Sequence, residues 1–501
     1  MMEIAAFIRA AQKEELRPYP RFLLSAEEWQ AMSAALAKTL HPALLALWAE
    51  SDRVHALLQD ENGDLLPVAS PIVNGAYAAL SPARPAAIWF ERVIRDLWGH
   101  SAEGGRDHQT WLDHGTWAIE APLSRRPKAR LGEELPREFA APEEEDVHQF
   151  ALGPISGGIA KPFHLRITMH GDVPLTAEFY MGYAHKGVMA LMRGKLPRVA
   201  ARFAARLSGD ATVAHALAYA HAVEAALGVQ VPARAIALRA IMAELERIAH
   251  HLFQIGVIAD TAKFGILHAG CGSTLEELRA STARAFGHRL MMDCIVPGGL
   301  AADIAADGQA TVLGMLDALQ GKVSDLAALS FSEPPFLARL QGIGRLSEQL
   351  VREFAPGGPI GRTYGSHFDA RRRPGYPPYD SLEMPLPQAA SPDAAGYLRV
   401  LFAELRTSMD LARRLLEHLP DGEISAPLPV SSGEGLGVAE APRGDVWHWV
   451  RLDGGMIAAS FAADPSWRHW PLLEAALVGE AMEDLPLCLA CFHCSVSAVD
   501  L

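Results

Sequence analysis

Near the C-terminus the stretch CLACFHC sets Cys488, Cys491 and Cys494 three residues apart, with His493 beside them. Thiolates at this spacing hold zinc or an iron–sulfur cluster when a further ligand, such as His493 or a group on a partner chain, completes the set. The same three residues also read as small, buried apolar members of a terminal core segment. A second stretch, ELERIAHHL, carries Glu244, Glu246 and Arg247 beside His250 and His251. Glu246 and His250 are one helical turn apart, a spacing that suits a ligand pair. A third, RLSGDATVAH, opens with Arg206 and runs into a helical pattern at His215. A fourth places Asp369, Arg371, Arg372 and Arg373 next to Pro374 and Tyr376, either a solvated charge cluster or a docking surface. No G-x-G-x-x-G follows a strand, and P-loop, G-x-S-x-G and H-E-x-x-H motifs are absent, so no nucleotide, serine-hydrolase or zincin chemistry is indicated.

These groups need elements to hold them. With 501 residues, half of them apolar, the chain can bury a sizeable core and form two or three domains. A net charge of -14 speaks against nucleic acid as a partner. Five cysteines are too few and too unevenly placed for a disulfide framework. The N-terminus lacks a secretory pattern, and no run approaches the roughly 18 to 20 apolar residues of a membrane span. The expectation is a cytoplasmic chain that docks on something embedded in a membrane. Residues 26–50 and 86–100 read as helices. Residues 131–147 are acidic and proline-bearing and read as a linker between a first unit, 1–130, and a second, 148–501. Beyond it, FHLRITMHGDVPLTAEFYMG alternates around His170-Gly171-Asp172 as a β-hairpin should. Helices are expected from Thr212 to a cap at Gly228, after Pro232, and over 275–292, 308–330 and 394–418, with a long Gly/Pro/Arg-rich loop between the last two.

In order along the chain, GPISGGIAKPFHLRI, GYAHKG, RLSGDATVAHALAYAHAVEAALGVQVPARA, IMAELERIAHHL, GGPIGRTYGSHFDARRRPGY and GVAEAPRGDVWHW resemble the large subunit of membrane-bound nickel–iron hydrogenases of the formate-hydrogenlyase type. They are equally similar to the homologous quinone-site subunit of respiratory complex I. WFERVIRDLWGH resembles the smaller complex I subunit often fused in front. The resemblance implies an α+β chain: a small α/β N-terminal domain, then a mainly helical domain with peripheral β-hairpins. It also implies that ELERIAHHL is a packing helix rather than a metal site, and that the loop of Asp369, Arg371 and Tyr376 docks a partner subunit.

In those hydrogenases two C-x-x-C pairs hold the metals, because soft metals with open positions take thiolates. The first pair falls on Ser208 and Ala211. The second falls on Ser495 and Ala498, unless CLACFHC itself retains it. A proton-passing glutamate falls on Lys161, and complex I's quinone-holding histidine and tyrosine fall on Ser156 and Gly209. His185, Arg206, His215, Glu440, Arg443 and Asp445 match the frame around the cavity, as active groups or as ion pairs pinning hairpin to bundle.

The resemblance therefore implies the large subunit of a hydrogenase-related, complex I-like oxidoreductase complex lacking a nickel–iron centre. It would hold no cofactor of its own, and Arg443 and His185 would anchor a quinone or other small carrier. Its partners would be a [4Fe-4S] small subunit and antiporter-like membrane-arm subunits, on the cytoplasmic face of the inner membrane. The alternatives are a non-catalytic scaffold subunit, or a hydrogenase subunit with an atypical metal site built on Cys488, Cys491 and Cys494.

Overall fold

In the computed structural model the described residues are 4–107, 109–130, 146–155 and 162–501. Ser156, Lys161 and nearly all of the expected linker lie outside them. Five strands form the first sheet, in the order Gln12–Glu14, Arg21–Leu23, Leu65–Pro71, Arg53–Gln59, Ala43–Ala49. Its one parallel pairing joins Arg21–Leu23 to Leu65–Pro71.

The run ALLALWA at 43–49 is buried at every residue. It packs both on the helix Ala87–Trp98 and on a sheet from the other end of the chain. Trp48 stacks on Phe461 with ring centroids 5.6 Å apart, and His55 faces Trp449 at 5.5 Å. This corrects the reading of 26–50 as a single helix. The helix covers Ala26–Leu36 only, behind a Ser25 capping box. The residue before Pro42 is biased away from helix, and a run with no polar face suits a strand covered on both sides.

The expected hairpin is present as His164–His170 paired antiparallel with Val173–Tyr180, and Gly171 takes positive φ in the turn. Val147–Leu152 adds a third strand, which begins at the last residue of the expected linker. Helices then dominate: Thr212–Leu227, Ala233–Thr261, Gly265–Phe286, Gly308–Ser332 and Ala394–Glu417. Gly228 ends the first in the left-handed conformation, and Pro232 precedes the second. The third starts and ends earlier than the sequence suggested, and left-handed Gly287 caps its end after Phe286. The fold class is α+β.

A meander of Gly433–Ala441, Gly444–Asp453 and Met456–Ala463 lies directly under the Thr212–Leu227 helix. The contact is close enough that a Cβ at Gly435 would meet the Ala222 carbonyl oxygen at 2.0 Å, and one at Gly437 the Ala218 oxygen at 2.2 Å. Alternate glycines on the strand and alanines on the helix let the two backbones touch.

The long loop between the last two long helices is tied down by charge. Arg362 is fully buried and donates to Glu404, to Asp369 at 3.2 Å and to Glu440 at 3.4 Å. Arg371 pairs with Asp369 at 2.7 Å and Glu244 at 3.0 Å, and the Tyr379 hydroxyl donates to Glu244 at 2.6 Å. His251 joins through Glu404 at 3.0 Å. Asp369, Arg371 and Tyr376 are therefore core residues, which corrects the docking-surface expectation; Arg372 and Arg373 are the exposed members. The sequence pattern DARRRPGY cannot distinguish the arginine that turns inward from the two that do not.

Removing one side of a buried ion pair leaves its partners charged without compensation. Arg362→Met should cost about 3–5 kcal/mol by that measure, read as a lowered denaturant midpoint. Arg372→Met, on the exposed side of the same loop, should leave the midpoint within about 0.5 kcal/mol of the parent.

Candidate functional site

Arg443 sits in the tight turn that joins Gly433–Ala441 to Gly444–Asp453. Its backbone is crossed by Gly357–Gly358: a Cβ on Gly358, which has positive φ, would lie 2.0 Å from the Arg443 carbonyl oxygen. The turn aims the guanidinium at the segment that opens the Thr212–Leu227 helix. Nη1 donates to Asp210 Oδ2 at 2.7 Å, and Nη2 donates to Asp210 Oδ1 at 3.0 Å and to Ser208 Oγ at 2.9 Å. Nη1 also donates to His250 Nε2 at 3.2 Å, from the long helix Ala233–Thr261.

The C-terminal segment closes the node. Ser208 Oγ and Ser495 Oγ share a hydrogen bond of 2.8 Å, and Ser208 also donates to Asp210 at 2.7 Å. Ser495 caps the short helix Val496–Val499 by accepting the Ala498 N–H, while its own N–H donates to Ser466 Oγ. Behind Arg443, Asp464 lies 3.9 Å away and binds His215 Nε2 at 3.2 Å; His215 Nδ1 meets His448 at 3.1 Å.

The charges are set by burial and by partners. Burial opposes ionisation of Asp464, yet Arg443 and His215 hold its carboxyl below the usual range. Burial, then the Arg443 charge, then His493 push the His250 ring well below its ordinary value, so it is a neutral imidazole at pH 7. Glu246 accepts the Val213 and Ala214 N–H groups at the start of the Thr212–Leu227 helix, at 2.7 and 3.0 Å. Burial nevertheless pushes its carboxyl up to about 8.

Next to the node lies a cavity of about 310 Å³. Leu245, Ala249, Phe253, Leu278 and Met291 make its walls, and Asp210, Glu246, His250 and His493 present polar groups to it. Ligand atoms of Asp210, His250 and His493 lie within 4.8 Å of one another. This is the only such group of three or more His, Cys, Asp or Glu among the described residues.

The residues singled out in the sequence distribute unevenly around this centre. Ser208, Ser495 and Arg443 meet, Ala211 and Ala498 are buried beside them, and His215 connects through Asp464. Arg206 does not belong: it is half exposed and pairs with Asp293 at 2.6 Å. His185 donates from Nδ1 to the Asp500 carbonyl at 2.6 Å and packs on Trp117, apart from both Arg443 and the cavity. Glu440 is held by Arg362 and the Ala370 N–H, and Asp445 by Arg468 and Trp447 Nε1; both brace the frame. Gly209 lines the cavity.

Cys488, Cys491 and Cys494 do not form a ligand group. Cys488 and Cys494 turn their thiols toward the Ala476 and Phe492 carbonyls, and burial pushes the Cys491 thiol up to about 12. Asp210, His250, His493 and Asp464 were not grouped by the sequence. The one signal for Asp210 was a carboxylate two residues after Ser208; His250 and His493 were each marked as possible ligands, beside Glu246 and beside the cysteines, but nothing in the sequence paired them with each other, because they lie far apart along the chain.

Residues 186–255 match the family model described as nickel-dependent hydrogenase, and residues 273–429 the one described as respiratory-chain NADH dehydrogenase, 49 Kd subunit. Formate hydrogenlyase subunit 5 of Escherichia coli is 26% identical over 441 residues, covering 84% of this chain and 76% of that protein. An NADH-quinone oxidoreductase subunit of Dehalococcoides mccartyi is 29% identical over 311 residues, covering 60% and 84%. Among solved structures, a chain of the membrane-bound sulfane sulfur reductase, an archaeal respiratory membrane complex, superposes with a TM-score of 0.67 at 24% identity. It covers 72% of this chain and 100% of that one. No helix among the described residues is long and apolar enough to cross a membrane.

A carboxyl whose pKa is higher folded than unfolded adds stability that is complete below the unfolded value and is lost as pH rises through the folded one. For Glu246 that window runs from about 4.5 to about 8. The melting temperature should therefore fall between pH 6 and pH 9, and Glu246→Gln should flatten that slope. Some slope should remain, since burial also pushes Glu474 up to about 8.

Proposed function

We propose that this chain, which resembles hydrogenase and complex I large subunits along most of its length, is the large subunit of a membrane-associated oxidoreductase complex of that kind working without a nickel–iron centre. Electrons arrive from a [4Fe-4S] partner subunit and pass to a quinone or similar small carrier in the cavity beside Asp210, His250 and His493. Antiporter-like subunits couple the transfer to ion translocation, and the chain rides peripherally on the cytoplasmic face. Residues 1–130 act as the complex I small-subunit-like part and 148–501 as the large-subunit part.

One observation carries this reading: the closed Ser208–Ser495–Arg443–Asp210 node next to an apolar cavity. A nickel–iron centre does not fit these residues. Where the resemblance assigns four thiolates there are two hydroxyls hydrogen-bonded to each other at 2.8 Å and two methyl groups. Hydroxyls are poor donors to soft metals, and the Arg443 charge touches both Ser208 and Asp210. The groups that line the cavity can instead fix a carrier's polar end: the imidazole of His250 is neutral, His493 stands beside it, and Leu245, Ala249 and Leu278 offer apolar contact to the carrier's ring.

A scaffold role is the second reading, favoured by how completely Arg443 fills the space between Ser208, Asp210 and Asp464. Two measurements separate the possibilities. Metal analysis of the protein purified with its natural partners should give iron at cluster stoichiometry and no nickel; nickel near one per chain would return the hydrogenase reading. Ala249→Phe, which fills the cavity, should raise KM for a soluble quinone at least about tenfold while the partners still co-purify. Electron transfer unchanged in that variant and in Arg443→Ala would leave the scaffold.

A further inference from the structure

Asp210, His250 and His493 come from three elements: the loop before the Thr212–Leu227 helix, the long helix, and the link after Leu485–Phe492. Their ligand atoms converge within 4.8 Å at the wall of the 310 Å³ cavity. We propose that they form a binding site for one divalent first-row transition ion of the zinc class, with its open position facing the cavity. The inference stands on this geometry and holds whether or not a carrier occupies the cavity.

Two imidazoles and one carboxylate are a donor set that zinc accepts readily, and three protein ligands leave room for a water or substrate atom. His250 is buried, and its Nδ1 has no hydrogen-bond partner among the described residues. Because Arg443 donates to Nε2, the ring proton sits on Nδ1 and Nε2 keeps the lone pair, so Nε2 is the nitrogen an ion takes when Arg443 releases it. His493 is held with φ at 42°, in the left-handed region, at the end of its helix. Histidine is one of the residues enriched there, yet the conformation is still uncommon for a side chain with a Cβ. It turns the ring toward His250, with centroids 5.2 Å apart.

Arg443 is the competing cation. Its Nη1 holds His250 Nε2 at 3.2 Å and Asp210 Oδ2 at 2.7 Å, on the side of the cluster away from the cavity. Its charge is already opposed by Asp210 and, at 3.9 Å, by Asp464. Loading an ion requires Nη1 to release His250, while Nη2 stays on Ser208 and Asp210 Oδ1. The site is therefore exchangeable, and shortening the guanidinium relieves the competition.

Cobalt(II) is the probe, titrated into the chelator-treated full-length chain and followed by equilibrium dialysis and visible ligand-field absorption. The expected result is one cobalt per chain, displaced by zinc. His493→Asn, a residue that tolerates the same backbone conformation, should weaken binding at least about 100-fold, as should His250→Gln. Cys491→Ser should bind as the parent does, and Arg443→Gln at least as tightly. Circular dichroism on each variant checks that the fold is kept. Failure to take up one cobalt per chain at about 100 μM, a folded His493→Asn that binds as the parent does, or loss of binding in Cys491→Ser would each overturn the site.

Discussion

A guanidinium held away from water is the constraint around which this half of the molecule is organised. Arg443 keeps its charge, and the N–H groups of its two terminal nitrogens are met by acceptors. Those acceptors come from the opening loop, the long helix and, through Ser208, the C-terminal segment. Each contact fixes one element against the meander that carries Arg443. The turn that presents it needs Gly358 beneath it, and the helix that receives it needs Gly435 and Gly437 beneath that. Small residues bring the backbones together, and the buried charge sets the register in which they meet.

The same arrangement separates a polar wall from an apolar one. Ser208, Ser495 and Asp210 are occupied with Arg443 and with each other, which leaves hydroxyl and carboxylate chemistry where thiolates would be needed for a soft-metal centre. On the far side, Leu245, Phe253 and Leu278 keep a cavity open against which His250 and His493 are set. A neutral imidazole between a fixed cation and an apolar space is chemically available, as donor or as ligand, in a way that a solvated histidine is not. The proposed carrier site and the proposed cation site both depend on that asymmetry.

A second buried network does comparable structural work farther along. Arg362 and Arg371 gather Glu244, Asp369, Glu404 and Glu440 from a loop, two helices and a strand. The segment of residues 357–380 holds only short helical pieces, Gly358–Thr363 the longest, and these pairs specify its path between them. Glu440 and Arg443 lie three residues apart on one hairpin, so the two networks brace the same turn from opposite sides.

Much of this could be read along the chain, where local rules decide. Gly171, Gly228 and Pro232 announced a turn, a helix end and a helix start because each satisfies a backbone requirement without help from distant residues. The alternation of the hairpin and the long helical periods were equally local. Segment likeness singled out Ser208, Ser495 and Arg443, and the fold brought them within hydrogen-bond reach. What only the tertiary structure decided is which side chains lose their water. ALLALWA became a strand because two elements cover it, Arg206 stayed outside with Asp293, and Asp369 and Arg371 went inside. The meeting of His250 with His493 was decided the same way. Burial and pairing of charge depend on what arrives from elsewhere in the chain, and a pattern of neighbours in sequence carries no record of that.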